Sequence, residues 1–148
     1  MRELSSAEVL EVAGTTEMQL RDWCQKGTIK PAGGRGRGNH RKFSVLQTVG
    51  IAVSIELRNS DRGCSADYMR RVISAFATVT EEELLQAFEN RTRYFELEHN
   101  GRVLLHSEKY PGCVDVQKNY KQIEKQIKRM SKTEPNPTGR NRGLVGNK

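Results

Sequence analysis

A mainly α fold with small β elements is what this sequence predicts, and three observations carry the prediction. Four candidate helix starts carry a serine or threonine three residues before a glutamate or glutamine: Ser5 and Glu8, Thr16 and Gln19, Ser44 and Gln47, Thr80 and Glu83. That is the capping box, in which each side chain satisfies an orphan amide of a helix start. Between these starts, apolar residues recur at spacings of three and four, the period of a half-buried helix. Asn100-Gly101, between two β-compatible runs, is the one strong short hairpin signal.

The first helix is predicted over Ser6–Ala13, stapled by Leu4 against Val9 and stopped by Gly14. The second is predicted over Glu17–Lys26 with Gly27 as terminator. Their short separation is that of a helix-turn-helix, and Val9, Leu10, Ala13, Leu20 and Trp23 share its small core. Strands are expected at Thr28–Lys30 and Arg41–Phe43, flanking Gly33-Gly34-Arg35-Gly36-Arg37-Gly38 and making that loop a wing. A third helix over Val45–Arg58 is apolar on much of its surface and reads as the central packing helix. A fourth over Ala66–Phe76, capped by Ser65, turns Met69, Val72, Ile73 and Phe76 inward. A fifth covers Glu81–Asn90 and carries Leu84, Leu85 and Phe88.

The hairpin is expected over Arg93–His99 and Arg102–His106. A two-residue turn would pair Leu97 with Leu104 and Phe95 with His106 on one face. The last helix, over Val116–Met130, is amphipathic. Its seam of Val116, Tyr120, Ile123, Ile127 and Met130 alternates spacings of four and three, as in a heptad. Two heptads are too short to hold a coiled coil alone, so the seam packs on the hairpin, on a partner subunit, or on both. Residues 131–148 are polar, rich in proline and glycine, and basic, the composition of a disordered tail. The expected organisation is therefore a winged helix-turn-helix over residues 1–78, an α+β dimerisation, partner or effector segment over 79–130, and the tail.

Composition narrows the class of partner. The 148 residues carry a formal net charge of +7, and the isoelectric point is near 9.5. That balance suits a polyanion, the more so because the cations cluster in the loop and at the C-terminal end. No apolar run approaches the roughly 18 residues of a membrane span, and no secretory stretch follows Met1-Arg2-Glu3. Cys24, Cys64 and Cys113 are odd in number and far apart, so a reducing cytosol is the expected compartment. The expected location is cytoplasmic, in association with the nucleoid.

The residues from Thr16 to Ser44 point to duplex DNA. A rigid helix enters a major groove while a cationic loop follows phosphates or a minor groove. On the second helix the candidate contacts are Thr16, Glu17, Gln19, Arg21 and Lys26. Glutamine and arginine suit adenine and guanine edges, and glutamate accepts from cytosine. The competing reading is that Thr16 and Gln19 only cap the helix while Arg21 pairs with Glu17 or Asp22. In the wing the candidates are Arg35, Arg37, His40, Arg41 and Lys42, where interleaved glycines let backbone and phosphate approach closely. The loop lacks the Lys-Ser/Thr of a nucleotide-binding loop. His40, His99 and His106 lack metal-ligand spacing, so no metal and no cofactor is expected. No acid pair or nucleophile set is spaced for catalysis, so no enzyme is expected.

Leu20-Arg21-Asp22-Trp23, then Gly27, Ile29 and Pro31, then His40-Arg41-Lys42-Phe43-Ser44, resemble the DNA-binding motif of the mercury-resistance-regulator (MerR) family over about Leu4–Ala77. The resemblance implies a bacterial or phage transcription regulator that binds a two-fold operator as a homodimer. It would work alone or with RNA polymerase or another protein. The chain departs from the family at Asp22 and His40, where the family carries tyrosines. It also places a helix, a hairpin and a further helix where family members have one long dimerisation helix. Only Cys113 lies where a metal-sensing member carries paired cysteines. A second expectation is an excisionase-like architectural or segregation and assembly factor whose C-terminal part recruits another protein. A third, an effector-sensing regulator, requires a ligand pocket in the Phe95–Tyr120 region, for which Tyr94, Phe95 and Tyr110 are candidate walls.

Overall fold

A computed structural model describes residues 3–33, 41–60 and 62–133. The chain is mainly helical, with two small antiparallel sheets of two strands each among the described residues. Strand β1 (Glu3–Ser5) leads into α1 (Ser6–Ala13), a three-residue turn, and α2 (Glu17–Gln25). Strand β2 (Lys42–Ser44) runs directly into α3 (Val45–Asn59), followed by α4 (Ala66–Phe76) and α5 (Glu81–Glu89). The hairpin β3 (Tyr94–Leu97) and β4 (Val103–His106) precedes α6 (Val116–Thr133).

All four capping boxes form, with both reciprocal hydrogen bonds in place, at Ser5, Thr16, Ser44 and Thr80. Ser65 caps α4 by accepting from the Tyr68 amide at 3.0 Å. Such caps stabilise a helix start by about 1 kcal/mol each, which is why the starts fall where the sequence places them. The ends differ by a residue or so: α2 stops at Gln25, α3 reaches Asn59, and α5 stops at Glu89. Helix α6 continues to Thr133, into residues expected to be disordered, and the remainder of the expected tail lies outside the described residues.

Two β expectations are corrected. Thr28–Lys30 is not a strand. The amides of Thr28 and Ile29 both donate to the Trp23 carbonyl, at 2.9 and 3.2 Å, and so close the end of α2 instead of joining a ladder. Gly27 makes this possible with φ at 77°. Ile29, 2% exposed, then plugs the core. The partner of β2 is β1, in the register Glu3 with Ser44 and Leu4 with Phe43. On its other side, among the described residues, β2 meets Ala32 through the Ala32–Lys42 bridge.

The hairpin register is the second correction. Phe95 pairs with Leu105, and Leu97 with Val103, one residue away from the expected pairing. Glu98 and Arg102 close a three-residue loop. The Gly101 amide donates to the Glu98 carbonyl at 2.9 Å, and Gly101 itself sits at φ 82°. That is the turn followed by a left-handed glycine that three-residue hairpins use. The slip exchanges faces. Val103 and Leu105 now join Phe95 and Leu97 against the core, and Leu104 faces outward.

The buried residues form one cluster that runs from Leu4 to Ile123 and draws on both expected segments. Phe76 of α4 stacks on Phe95 of β3 with centroids 5.6 Å apart, and Phe88 of α5 packs on Tyr120 of α6 at 5.7 Å. Helix α3 is the axis, buried at Val49, Ile51 and Val53. Gly50 lets α4 approach it. A Cβ there would lie 2.9 Å from the Phe76 Cβ. Replacing a mid-helix glycine by alanine ordinarily adds about 1 kcal/mol. Here the neighbour is an atom fixed to the backbone and cannot swing aside, and overpacking costs about 1–3 kcal/mol. Gly50→Ala is therefore expected to lower the urea midpoint. A raised midpoint would show that α3 and α4 separate freely.

Candidate nucleic-acid interface

Helix α2 buries Leu20 and Trp23 and leaves the opposite face to solvent. Along that face two ion pairs run at i,i+4 spacing. Arg21 Nη2 lies 2.9 Å from Glu17 Oε1, and Lys26 Nζ lies 3.3 Å from Asp22 Oδ2, all about half exposed or more. The helix face is thus nearly neutral as it stands. Exposed pairs of this kind are worth about 0.3–0.5 kcal/mol, so they open at little cost.

Thr16 and Gln19 act as the cap. The Gln19 amide donates to Thr16 Oγ1 at 3.2 Å, and Gln19 Oε1 accepts from the Thr16 amide at 3.4 Å and from Thr15 Oγ1 at 2.9 Å. A bidentate adenine contact needs both the carbonyl oxygen and the amide nitrogen of a glutamine, so Gln19 makes one only by opening its box.

Arg41 and Arg21 come together. With Glu17, Leu20, Ser6 and Ala7 they line a cleft of about 390 Å³ between the start of α1 and the Glu17–Arg21 flank of α2. Arg41 also lies close enough to Cys24 for its charge to draw the thiol pKa down. Burial pushes that pKa up more strongly, and the net shift is upward. Cys24 therefore stays a neutral thiol at physiological pH. The backbone of Lys42 exchanges both hydrogen bonds with Ala32, at 3.0 and 2.8 Å. This bridge ties the base of the glycine- and arginine-rich loop to β2 and leaves the Lys42 side chain exposed. Of the wing candidates, Arg35, Arg37 and His40 lie outside the described residues.

Met18 is a surface residue that the sequence reading passed over. It is 79% exposed on the outer face of α2. The signal was present, because the helical period puts position 18 opposite Leu20 and Trp23.

The proposed dimerisation seam divides. Val116, Tyr120 and Ile123 are buried within the chain's own core. The Tyr120 hydroxyl donates to Glu81 Oε2 at 2.5 Å, and burial together with that carboxylate pushes the phenol pKa well up. Ile127 and Met130 are only partly covered and form the part of the seam left at the surface.

Among the described residues no helix is long and apolar enough to cross a membrane, and no three His, Cys, Asp or Glu side chains are grouped to hold a metal ion. No model of a known protein family matches the chain, and no curated protein matches it.

Proposed function

We propose that the chain is a sequence-specific double-stranded-DNA-binding transcription regulator whose N-terminal part works as a winged helix-turn-helix. The observation that carries the reading is the cleft lined by both Arg21 of α2 and Arg41 at the foot of the basic loop. Helix α2 enters the major groove by its N-terminal turns. Arg21 leaves Glu17 for a phosphate or a guanine edge. Exposed Met18 offers an apolar contact to a thymine methyl. Arg41, Lys42 and the loop arginines hold the flanking backbone or minor groove. In a homodimer, Ile127 and Met130 supply the apolar contact between copies. Two weak half-site contacts then combine through effective concentration.

A second reading draws on the buried seam. Val116, Tyr120 and Ile123 are consumed within one chain, which favours a monomeric architectural or assembly factor that bends DNA and recruits a protein through its C-terminal part. Selection of genomic fragments by the purified chain, with its mass measured by light scattering, separates the two. A single palindromic motif bound by a dimer is expected for the regulator. Tandem sites covered by monomers, with the DNA bent, favour the architectural factor. Absence of any duplex binding at low salt overturns both.

A further inference from the structure

A cavity of about 990 Å³ lies between the α3–α4 turn and the β3–β4 hairpin. Its size is at the upper end for small-molecule sites. Its walls are largely apolar or aromatic, formed by Leu57, Tyr68, Leu97, Tyr110 and Pro111. Tyr110 is fixed as a wall because its hydroxyl donates to the Phe95 carbonyl and its ring meets His106 edge-on. The Ser60 hydroxyl is likewise engaged, donating to the Leu57 carbonyl at 2.7 Å.

The polar groups left over are mostly donors. Among the described residues the Tyr68 hydroxyl has no hydrogen-bond partner, and burial keeps that phenol protonated by raising its pKa. Arg62 also lines the cavity. Arg58 acts electrostatically on Cys64, and Arg71 on Tyr68, so the surroundings gain further positive charge. The one carboxylate in the lining, Glu96, is already in contact with the His106 ring. A half-open cavity walled by tyrosine, leucine and proline, with surplus donors and cations among its polar groups, suits an aromatic body bearing an anion.

We infer that this cavity binds a small planar aromatic carboxylate, held by Arg62 and Tyr68. The inference stands apart from the DNA reading, and no nucleic acid enters its test. The probe is 4-hydroxybenzoate, with benzamidine as a cation of similar shape. Each is titrated into the full chain by calorimetry and followed by amide chemical shifts. A dissociation constant of about 1 mM or tighter is expected for 4-hydroxybenzoate, with shifts confined to residues 57–68 and 95–112. Arg62→Gln is expected to weaken binding about tenfold, and Tyr68→Phe about threefold. Arg62 is exposed, so its variant keeps the test usable even if Tyr68→Phe fails to fold. Three results overturn the inference: benzamidine binding as tightly, unchanged affinity in Arg62→Gln, or shifts that map instead to residues 16–42.

Discussion

Replacing Arg21 and Arg41 together by alanine is expected to weaken duplex-DNA binding about 30- to 100-fold at physiological salt. Two charge-assisted contacts at roughly 1–1.5 kcal/mol each sum to about 2–3 kcal/mol, and about 1.4 kcal/mol is a factor of ten. The slope of log affinity against log salt should flatten by about two, because two phosphate-neutralising cations are removed. Glu17→Gln is the control with the opposite sign. It removes the acid that holds Arg21 at 2.9 Å, and losing a pair of about 0.4 kcal/mol should raise affinity about twofold. Fluorescence anisotropy between 50 and 200 mM salt reads all three quantities. Both arginines sit at the rim of an open cleft, so the melting temperature of the double variant should stay close to that of the parent. Parental affinity at every salt concentration would remove α2 and the loop base from the binding surface.

Phe76→Ala is expected to be the most destabilising single change in the chain. The side chain is fully buried, stacks on Phe95, and fills the space that Gly50 leaves open. Emptying such a site costs about 3–5 kcal/mol, against a total stability of about 5–15 kcal/mol for a domain. The melting temperature should fall by about 10–20 °C. Because Phe76 joins α4 to the hairpin, helix unfolding and exposure of the hairpin tyrosines should move together in one transition. Two separated transitions would instead mark residues 1–78 and 79–130 as independently folding units.

How far the sequence could be read followed the range of the interactions involved. Helix starts were legible because a capping box is a contact over three residues, such as Ser44 with Gln47. Strand β1 was not, because its partner lies far along the chain, and Leu4 served the hydrophobic-staple reading equally well. The Asn100-Gly101 signal located the hairpin but suited loops of two or three residues, and the choice between them decided which face Leu104 took. Periodicity located the apolar seam of α6, but no local pattern says whether the same chain or a second copy covers it. At the candidate interface the cations were legible one by one. The closeness of Arg21 to Arg41 was not, because it depends on how β2 is anchored between β1 and Ala32.

Helix α6 is most deeply packed over its first half. Through Met130, Ile123 is its last fully buried residue, Ile127 and Met130 are partly covered, and the helix runs on to Thr133. At 1.5 Å per residue the stretch beyond Ile123 spans about 15 Å. Its root is clamped against α1 and α3, and α1 also packs on α2. A helix rooted in this way sets the bearing of whatever follows it relative to the Arg21–Arg41 cleft. Two residues inserted after Met130 would turn the helix end by about 200° while adding only about 3 Å of reach, so a module following it would point the opposite way from almost the same distance.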